Sequence, residues 1–308
     1  MIMTGSGDMS KEKKFFKKIN FAPYIMILPI MVLLAIFAFY PIVLSIVKSM
    51  FRWSGTFGGD GINTFVGFNN FIDLFKDEIF LQSWGNTLFF VVTGAVINLI
   101  FPFLCALLIF SIGNEKISYR WRVAFVAPMV VPSMVIFLLW QFIYDVDMGV
   151  VNNVLALFGA KKVDLLGNPD SVKWAIRFMG FPWVGGTYLL IYIAGLSGID
   201  NSLREAARID GASPLRRIFA IDIPLSKPQF KMILTLSIIG EIQDFVKIQT
   251  ITEGGPGYSS YLPGLYMYKV AFDANEYGKA CAIGVTMLVV MLFASFLMNV
   301  IFKKEDID

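Results

Sequence analysis

Residues able to do chemistry are few in this chain, and they gather in one segment. Glu205 to Pro228 reads EAARIDGASPLRRIFAIDIPLSKP, a charged stretch between two apolar runs. It carries carboxylates at Glu205 and Asp210, the turn-former Gly211, and the basic residues Arg208, Arg216 and Arg217. This is not a catalytic inventory. The chain has no histidine, which removes the usual general base and the commonest metal ligand. Cys105 and Cys281 both fall inside apolar runs and read as small buried hydrophobes, not as a disulfide or metal pair. No G-x-x-x-x-G-K-[ST] phosphate loop is present to cradle a nucleotide. Charges arranged around a turn do different work, the recognition of another protein.

The spacing predicts helix, sharp turn, helix. Ser202-Leu203-Arg204-Glu205 fits a capping box, in which Ser and Glu satisfy orphan N–H groups at a helix start. Ala206, Ala207, Arg208 and Ile209 continue the helix, and the two alanines are small enough for a partner to come close. Asp210-Gly211 ends it, because glycine adopts the left-handed conformation that closes a helix. Ser213-Pro214 restarts it, with serine as cap and proline in the first turn. The second helix is expected to end before Pro224, and Pro228 to precede the next span. A short helix presented in this way seats in a groove on a soluble partner.

The rest of the chain must hold that segment at a membrane. Hydrophobic residues make up 56% of the 308 and charged residues only 16%, well outside the roughly 25% charged of an ordinary soluble domain. The apolar surplus lies in runs long enough to cross a bilayer, which takes about 20 residues. Six spans are expected: Tyr24–Val47, Thr87–Ile112, Val123–Tyr144, Trp174–Ser197, Phe230–Val246 and Ala280–Phe302. The predicted fold is therefore all-α, a polytopic helix bundle over 24–302, with tails 1–23 and 303–308 and a loop at 198–228. Pro29, Pro41, Pro102, Pro128, Pro132 and Pro182 fall inside spans and predict kinks that neighbouring helices repair.

Lysine and arginine set the orientation. With the N-terminus inside, the inner segments hold Lys11, Lys13, Lys14, Lys17 and Lys18, then Lys116, Arg120 and Arg122, then the loop arginines with Lys227, then Lys303 and Lys304. The outer segments are longer and less basic. Both termini are expected in the cytoplasm. Met1–Asn20 is not expected to begin a cleavable signal, because the apolar run after it is about 24 residues and lacks a small-residue cleavage site, so that run reads as the first membrane helix. The basic tail anchors by the positive-inside bias, or by contact with anionic lipid.

Glu205, Ala206, Ala207, Asp210, Gly211, Ala212, Ile221 and Pro224 together match the EAA signature of importer-type ABC permeases. The chain resembles the sugar branch of that binding-protein-dependent family, the maltose and glycerol-3-phosphate permease type. Val66–Asp77, Trp84–Phe90, Trp183–Asp200 and Thr252–Phe272 carry further similarity, which runs from about Tyr24 to Lys304. The resemblance implies a type I importer permease fold. It implies a second permease subunit of different sequence, two ATPase subunits holding ATP and Mg, and an extracytoplasmic solute-binding protein. It implies that the Glu205–Pro224 segment is a cytoplasmic coupling helix in a bacterial plasma membrane protein. No cofactor and no nucleic acid is implied for this chain, and hydrolysis is expected elsewhere.

A carbohydrate path needs aromatic faces for C–H surfaces and amides or carboxylates for hydroxyls. Candidates are Trp140 and Gln141, Tyr188 and Tyr192, and Glu241, Gln243 and Asp244. The family often places Trp and Asn where this chain has Ile242-Gln243-Asp244. Asn86 and Asn98 suit bonds between helices. The Gly254–Gly257 run reads as a tight turn and, by resemblance, neighbours the mouth of the path. The alternative class is a secondary transporter of a small polar solute, which needs ionisable residues deep in several spans. A membrane enzyme lacks its reacting groups here, and a receptor or scaffold leaves the EAA segment unexplained.

Overall fold

The computed structural model describes residues 22–55 and 62–302. The readings of the basic tail Met1–Asn20 and of residues 303–308 lie outside the described residues. The chain divides into two compact units, Met1–Leu44 and Ser45–Asp308. From the first, α1 (Ala22–Leu34) passes through a π-turn (Ala35–Phe39) into α2 (Tyr40–Lys48), whose last turn belongs to the second. Helix thus begins inside the stretch assigned to the tail. The run Pro23–Lys48 is 26 residues, about 39 Å long and sufficient to cross a bilayer. Proline explains the π-turn. Pro41 cannot donate to Phe37 and its ring crowds that carbonyl, so the ladder widens and the Tyr40 N–H bonds back to Ala35.

After α2 comes a two-stranded antiparallel ribbon that the sequence did not reveal, β1 (Phe51–Ser54) with β2 (Ile62–Phe65), pairing Phe51 with Phe65. The helices α3 (Asn69–Leu74) and α4 (Glu78–Phe110) follow. Next come α5 (Glu115–Val126), a 3-10 turn (Ala127–Val130), α6 (Ser133–Ile143) and α7 (Val150–Leu157). Then α8 (Val172–Phe178), α9 (Gly186–Ser197), α10 (Asn201–Ile209) and α11 (Pro214–Arg217) lead to a second π-turn (Ile218–Asp222). The chain ends with α12 (Ile223–Leu225), α13 (Lys227–Gln243), α14 (Val246–Ile251), α15 (Pro263–Phe272) and α16 (Tyr277–Ile301).

The architecture is a helical membrane bundle, but the spans differ from those read in the sequence. Among the described residues three helices are long and apolar enough to cross a membrane: Pro23–Lys48, Glu78–Phe110 and Tyr277–Ile301. The second starts nine residues before Thr87, because Asp77 caps it by accepting from the N–H groups of Ile79 and Phe80. The stretch Val123–Tyr144 is not one helix. Two helical segments share it, Glu115–Val130 and Ser133–Ile143, and they meet at 89°. Pro132 forces the cause: the residue before a proline avoids the helical region, and Val131 is extended at ψ 128°. The stretch Trp174–Ser197 is also broken. Helix α8 stops at Phe178, a turn carries Gly180, Pro182 and Trp183 at φ 58°, and α9 begins at Gly186. Pro228 does not precede α13 but sits in its first turn, where a missing N–H costs nothing.

Helix α4 is the axis of this unit, with α9, α13 and α15 packed along it. Its outward residues Leu88, Val92, Val96, Ile100, Leu104 and Leu108 recur every four positions and are all exposed, while Phe90, Gly94, Phe103 and Ala106 point inward. A large apolar outer stripe of that length suits lipid, not water. Two buried clusters result. One joins α4 to α8, α13, α15 and α16 through Phe90, Ile176, Ile242, Leu265 and Ile283. The other joins α4, α9 and α13 through Phe103, Leu189, Tyr192, Leu196 and Ile233. Asn98 reinforces the second by donating to Ser237 at 2.8 Å, the interhelical role anticipated for it.

Asp77 does more than cap. It accepts from Lys279 Nζ at 3.0 Å and from the Tyr266 hydroxyl, tying the start of α4 to α15 and α16. Burial raises its carboxyl pKa, but the Tyr266 and Lys279 hydrogen bonds outweigh that and leave it below the usual carboxylate range. A depressed carboxylate stabilises above its unfolded pKa, about 3.9, and loses that contribution as pH falls through the folded value. Thermal unfolding in detergent should therefore find Asp77→Asn less stable than wild type at pH 7. The gap should close as pH drops below about 4, the ordinary aspartate range.

Candidate functional site

The charged loop folds as helix, turn, helix, by means that are largely local. Helix α10 is capped by Asp200, whose carboxylate accepts from the Ser202 N–H at 2.9 Å. This corrects the expected capping box. Ser202 lies inside the first turn, so Glu205 is too far along the helix to reach back. The Ser202 backbone and side chain hold the Asp200 carboxyl below the usual carboxylate range. The helix closes as anticipated. Gly211 sits at φ 72°, its N–H bonds to Arg208 O at 3.1 Å, and Ala212 N–H bonds to Ala207 O at 2.9 Å. That pair of bonds is a Schellman closure. Ser213 then accepts from the Arg216 N–H at 3.3 Å, with Pro214 in the first turn of α11.

The second helix does not stop before Pro224. It widens into the π-turn Ile218–Asp222, where the Ile223 N–H reaches Ile218, and runs on to Leu225. The reason is the one seen at Pro41: a proline two residues beyond the π-turn frees the carbonyl four residues before it. The extra residue rotates Asp222 inward. Asp222 is 1% exposed and meets Arg204 at 3.0 Å and Arg217 at 3.4 Å. Arg204, itself buried, also donates to Leu196 O at 2.9 Å and lies over the Phe110 ring at 4.4 Å. Sequence reasoning counted Arg204 only as one more positive charge and passed over Asp222.

The surface left outward is mixed. Glu205, Ala206, Arg208, Asp210, Gly211 and Pro224 are exposed, while Ala207, Ala212 and Ile221 are half-buried. Glu205 has no charged partner among the described residues. Three large apolar side chains stand beside these groups in the open: Ile209, Leu215 and Phe219, from 68% to 86% exposed. An acid flanked by exposed apolar side chains on a turn has the chemistry that protein contacts use.

The proposed path residues scatter. Trp140 packs on Tyr144 and Phe178, with ring centres 5.4 and 6.1 Å away. Gln141 is exposed and donates to Ile251 O at 3.4 Å. Tyr192 is wholly buried, its hydroxyl donating to Leu99 O at 3.2 Å, so it holds the core and has no free surface for cargo in this conformation. Tyr188 is half-buried on the same helix. Gln243 is exposed, and Asp244 pairs with Lys247 at 2.8 Å. Glu241 meets Arg177 at 2.7 Å, each side chain about one-tenth exposed, and Arg177 also donates to Phe90 O at 2.7 Å. Glu241 is among the expected polar groups of the fifth span, but its pairing with Arg177 is not legible in the sequence. Gly94 makes the room, since a Cβ there would stand 2.4 Å from Glu241 Oε1.

The Gly-Gly-Pro-Gly loop is fastened, not loose. Asn86, in α4, donates to Tyr258 O at 2.9 Å and Tyr261 O at 3.0 Å, and Ser260 donates to Gly255 O at 2.7 Å. Gly254 is at φ 91°, and a Cβ there would stand 2.1 Å from the Tyr261 ring. Gly254→Ala should therefore destabilise the fold by about 1–3 kcal/mol of overpacking and strain, seen as a lower unfolding midpoint in detergent. Gly257→Ala, with open space around it, should cost less.

Comparison with known proteins agrees with this geometry. Residues 105–306 match the family described as binding-protein-dependent transport system inner membrane component. A probable ABC transporter permease of Bacillus subtilis, YurN, is 30% identical over 92% of this chain and 97% of its own length. The diacetylchitobiose uptake system permease NgcF of Streptomyces coelicolor is 29% identical over 95% and 86%. The crystal structure of a bacterial ABC transporter that imports alginate superposes with a TM-score of 0.79 at 22% identity, covering 92% of this chain and 96% of that one. With the fold shared, the signature loop formed and a family match over most of its length, the chain belongs to the binding-protein-dependent transport system inner membrane components.

Proposed function

We propose that this chain is one permease subunit of an ATP-driven ABC importer, forming half of a pathway for an oligosaccharide or related carbohydrate. The observation that carries the reading is the loop: a Schellman turn at Gly211 presents Glu205, Ala206 and Ala207 beside exposed Ile209, Leu215 and Phe219. That surface seats in an ATPase subunit, which holds the ATP and Mg. This chain has no cofactor and takes no part in nucleic-acid binding. The carbohydrate class follows from relatives such as the diacetylchitobiose permease. An extracytoplasmic binding protein delivers the cargo, a different permease chain completes the path, and two ATPase subunits drive it.

The chain sits in a bacterial plasma membrane with both termini in the cytoplasm. Six passes are kept by counting α5 with α6, α8 with α9, and α13 as spans beside the three long helices. Broken or short helices at membrane depth are tolerated where protein covers the freed backbone. Trp140, Gln141, Tyr188, Glu241, Gln243 and Asp244 remain the path candidates, and they touch cargo after the bundle rearranges. The test is uptake into proteoliposomes holding the complete transporter, with binding protein and chitobiose or maltose-series oligosaccharides outside and ATP inside. Uptake that needs ATP and the binding protein supports the reading. Uptake driven by an ion gradient without ATP overturns it in favour of a secondary transporter of a small polar solute.

A further inference from the structure

We infer that Arg204 and Asp222 form a buried strut that makes the docking loop move as one body with the adjoining ends of α4, α9 and α13. Arg204 is a positioning residue in this view. The inference rests on the reading of the loop as the coupling element.

The geometry is specific. The Arg204 guanidinium spends its donors on three elements at once: Nε to Asp222 Oδ1 at 3.0 Å, Nη2 to Leu196 O at 2.9 Å, and Nη1 to Asn201 Oδ1 at 3.4 Å. Its flat face covers Phe110, the last residue of α4, at 4.4 Å. Leu196 O belongs to the final turn of α9, where carbonyls lack intrahelical partners. Asp222 closes the π-turn that leads into α12 and α13, and holds Arg217 of α11 as well. One side chain thus ties the ends of two helices, the entry to a third and the docking helix itself. A lysine would match only the charge, because it lacks the planar fork.

Burial turns this from decoration into a constraint. Arg204 is 7% exposed and Asp222 1%. Parting such a pair without water leaves two uncompensated charges, so the loop follows its anchors instead of swinging on them. Apart from this pair and from Ile199, Ile221 and Ile223, which pack on the second buried cluster, the loop stands clear of the bundle. Its outward residues Ile209, Leu215 and Phe219 are exposed, and the turn at Gly211 touches nothing within 4 Å of where a Cβ would stand. A push delivered to the loop by a partner reaches the bundle through the apolar contacts of Ile199, Ile221 and Ile223 and through Arg204, whose donors and paired carboxylate fix its direction.

The experiment is a pair-distance measurement on the complete transporter in nanodiscs. Nitroxides are placed at Ser202→Cys in α10 and Leu88→Cys in the far half of α4, with Cys105 and Cys281 replaced by alanine. Distances are read without nucleotide and with ATP, Mg and vanadate. The native pair should give one narrow distance, unchanged by nucleotide. Arg204→Gln should at least double the width of the distribution, and Arg204→Lys should fall between. Asp222→Asn and Phe110→Leu, which each remove one arm, repeat the test should Arg204→Gln fail to reach the membrane. A narrow distance in all variants, or a broad one in the native pair, overturns the strut. The ATPase co-purifies with the native chain in either case if the coupling reading holds. Its absence there would sink that reading and leave the strut result standing by itself.

Discussion

Glu241→Ala should destabilise the helical unit by about 3–5 kcal/mol, the effect of leaving one member of a buried ion pair without its partner. Arg177 would remain about one-tenth exposed, beside the Phe90 carbonyl and ring but with no carboxylate. Its Nε already lacks a hydrogen-bond partner, so the site has no spare acceptor to offer. In thermal unfolding in detergent the loss should lower the midpoint by on the order of 10 °C. Glu241→Gln should cost less, since the amide oxygen still accepts. The decisive variant is the double one. Arg177→Met with Glu241→Leu removes both charges and fills the space with apolar atoms, which is often neutral or stabilising. Recovery of the midpoint in the double variant, measured as a double-mutant cycle, would establish that the pair is a structural cost kept for another purpose. Equal loss in single and double variants would mean that the volume of the side chains matters and the charges do not.

Gly211→Val should cut transport on the order of tenfold while leaving the amount of protein in the membrane unchanged. No packing is lost at this position, because open space surrounds it. The whole effect comes from the backbone. A residue at φ 72° sits in the left-handed region, where a side chain costs roughly 1–2 kcal/mol and a β-branched one the most. A penalty of that size is a factor of about ten in any equilibrium or rate that needs the turn. The turn relaxes, and the exposed face of α10 is re-aimed. Asparagine visits the left-handed region readily, so Gly211→Asn should keep most of the transport. Uptake and quantitative immunoblotting of membranes, taken together, separate re-aiming from loss of protein. Equal uptake in the valine and asparagine variants would remove the turn from the mechanism.

Local features of the loop were legible in the sequence because their causes are local. Gly211 and Ser213-Pro214 act within a few residues, and both do what their chemistry predicts. The start of α10 was misread for the same kind of reason. Two capping residues, Asp200 and Ser202, lie two apart, and the carboxylate took the end. The anchor beneath the loop was not legible. Its key residue faces inward only because the π-turn adds one residue to the ladder, and nothing in the spacing of Asp222 signals that turn except Pro224 beyond it. The Arg177–Glu241 pair joins residues 64 positions apart, and Gly94 gave no sign that it was clearing space for a carboxylate. The prolines of the third apolar run, Pro128 and Pro132, predict kinks. Pro132 breaks the run through 89° instead, since it constrains the residue before it as well as its own N–H.

The proposed role of the Glu205–Pro224 loop is to receive a separate ATPase. It is tested most directly by purifying the tagged chain from its native membranes in mild detergent and identifying by mass spectrometry what accompanies it. An ATPase subunit and a second, different permease should co-purify in stable proportion, with the ATPase depleted when Glu205→Ala or Gly211→Val is introduced and the second permease retained. Recovery of this chain without an ATPase across several detergents, in membranes that still take up the cargo, would contradict it.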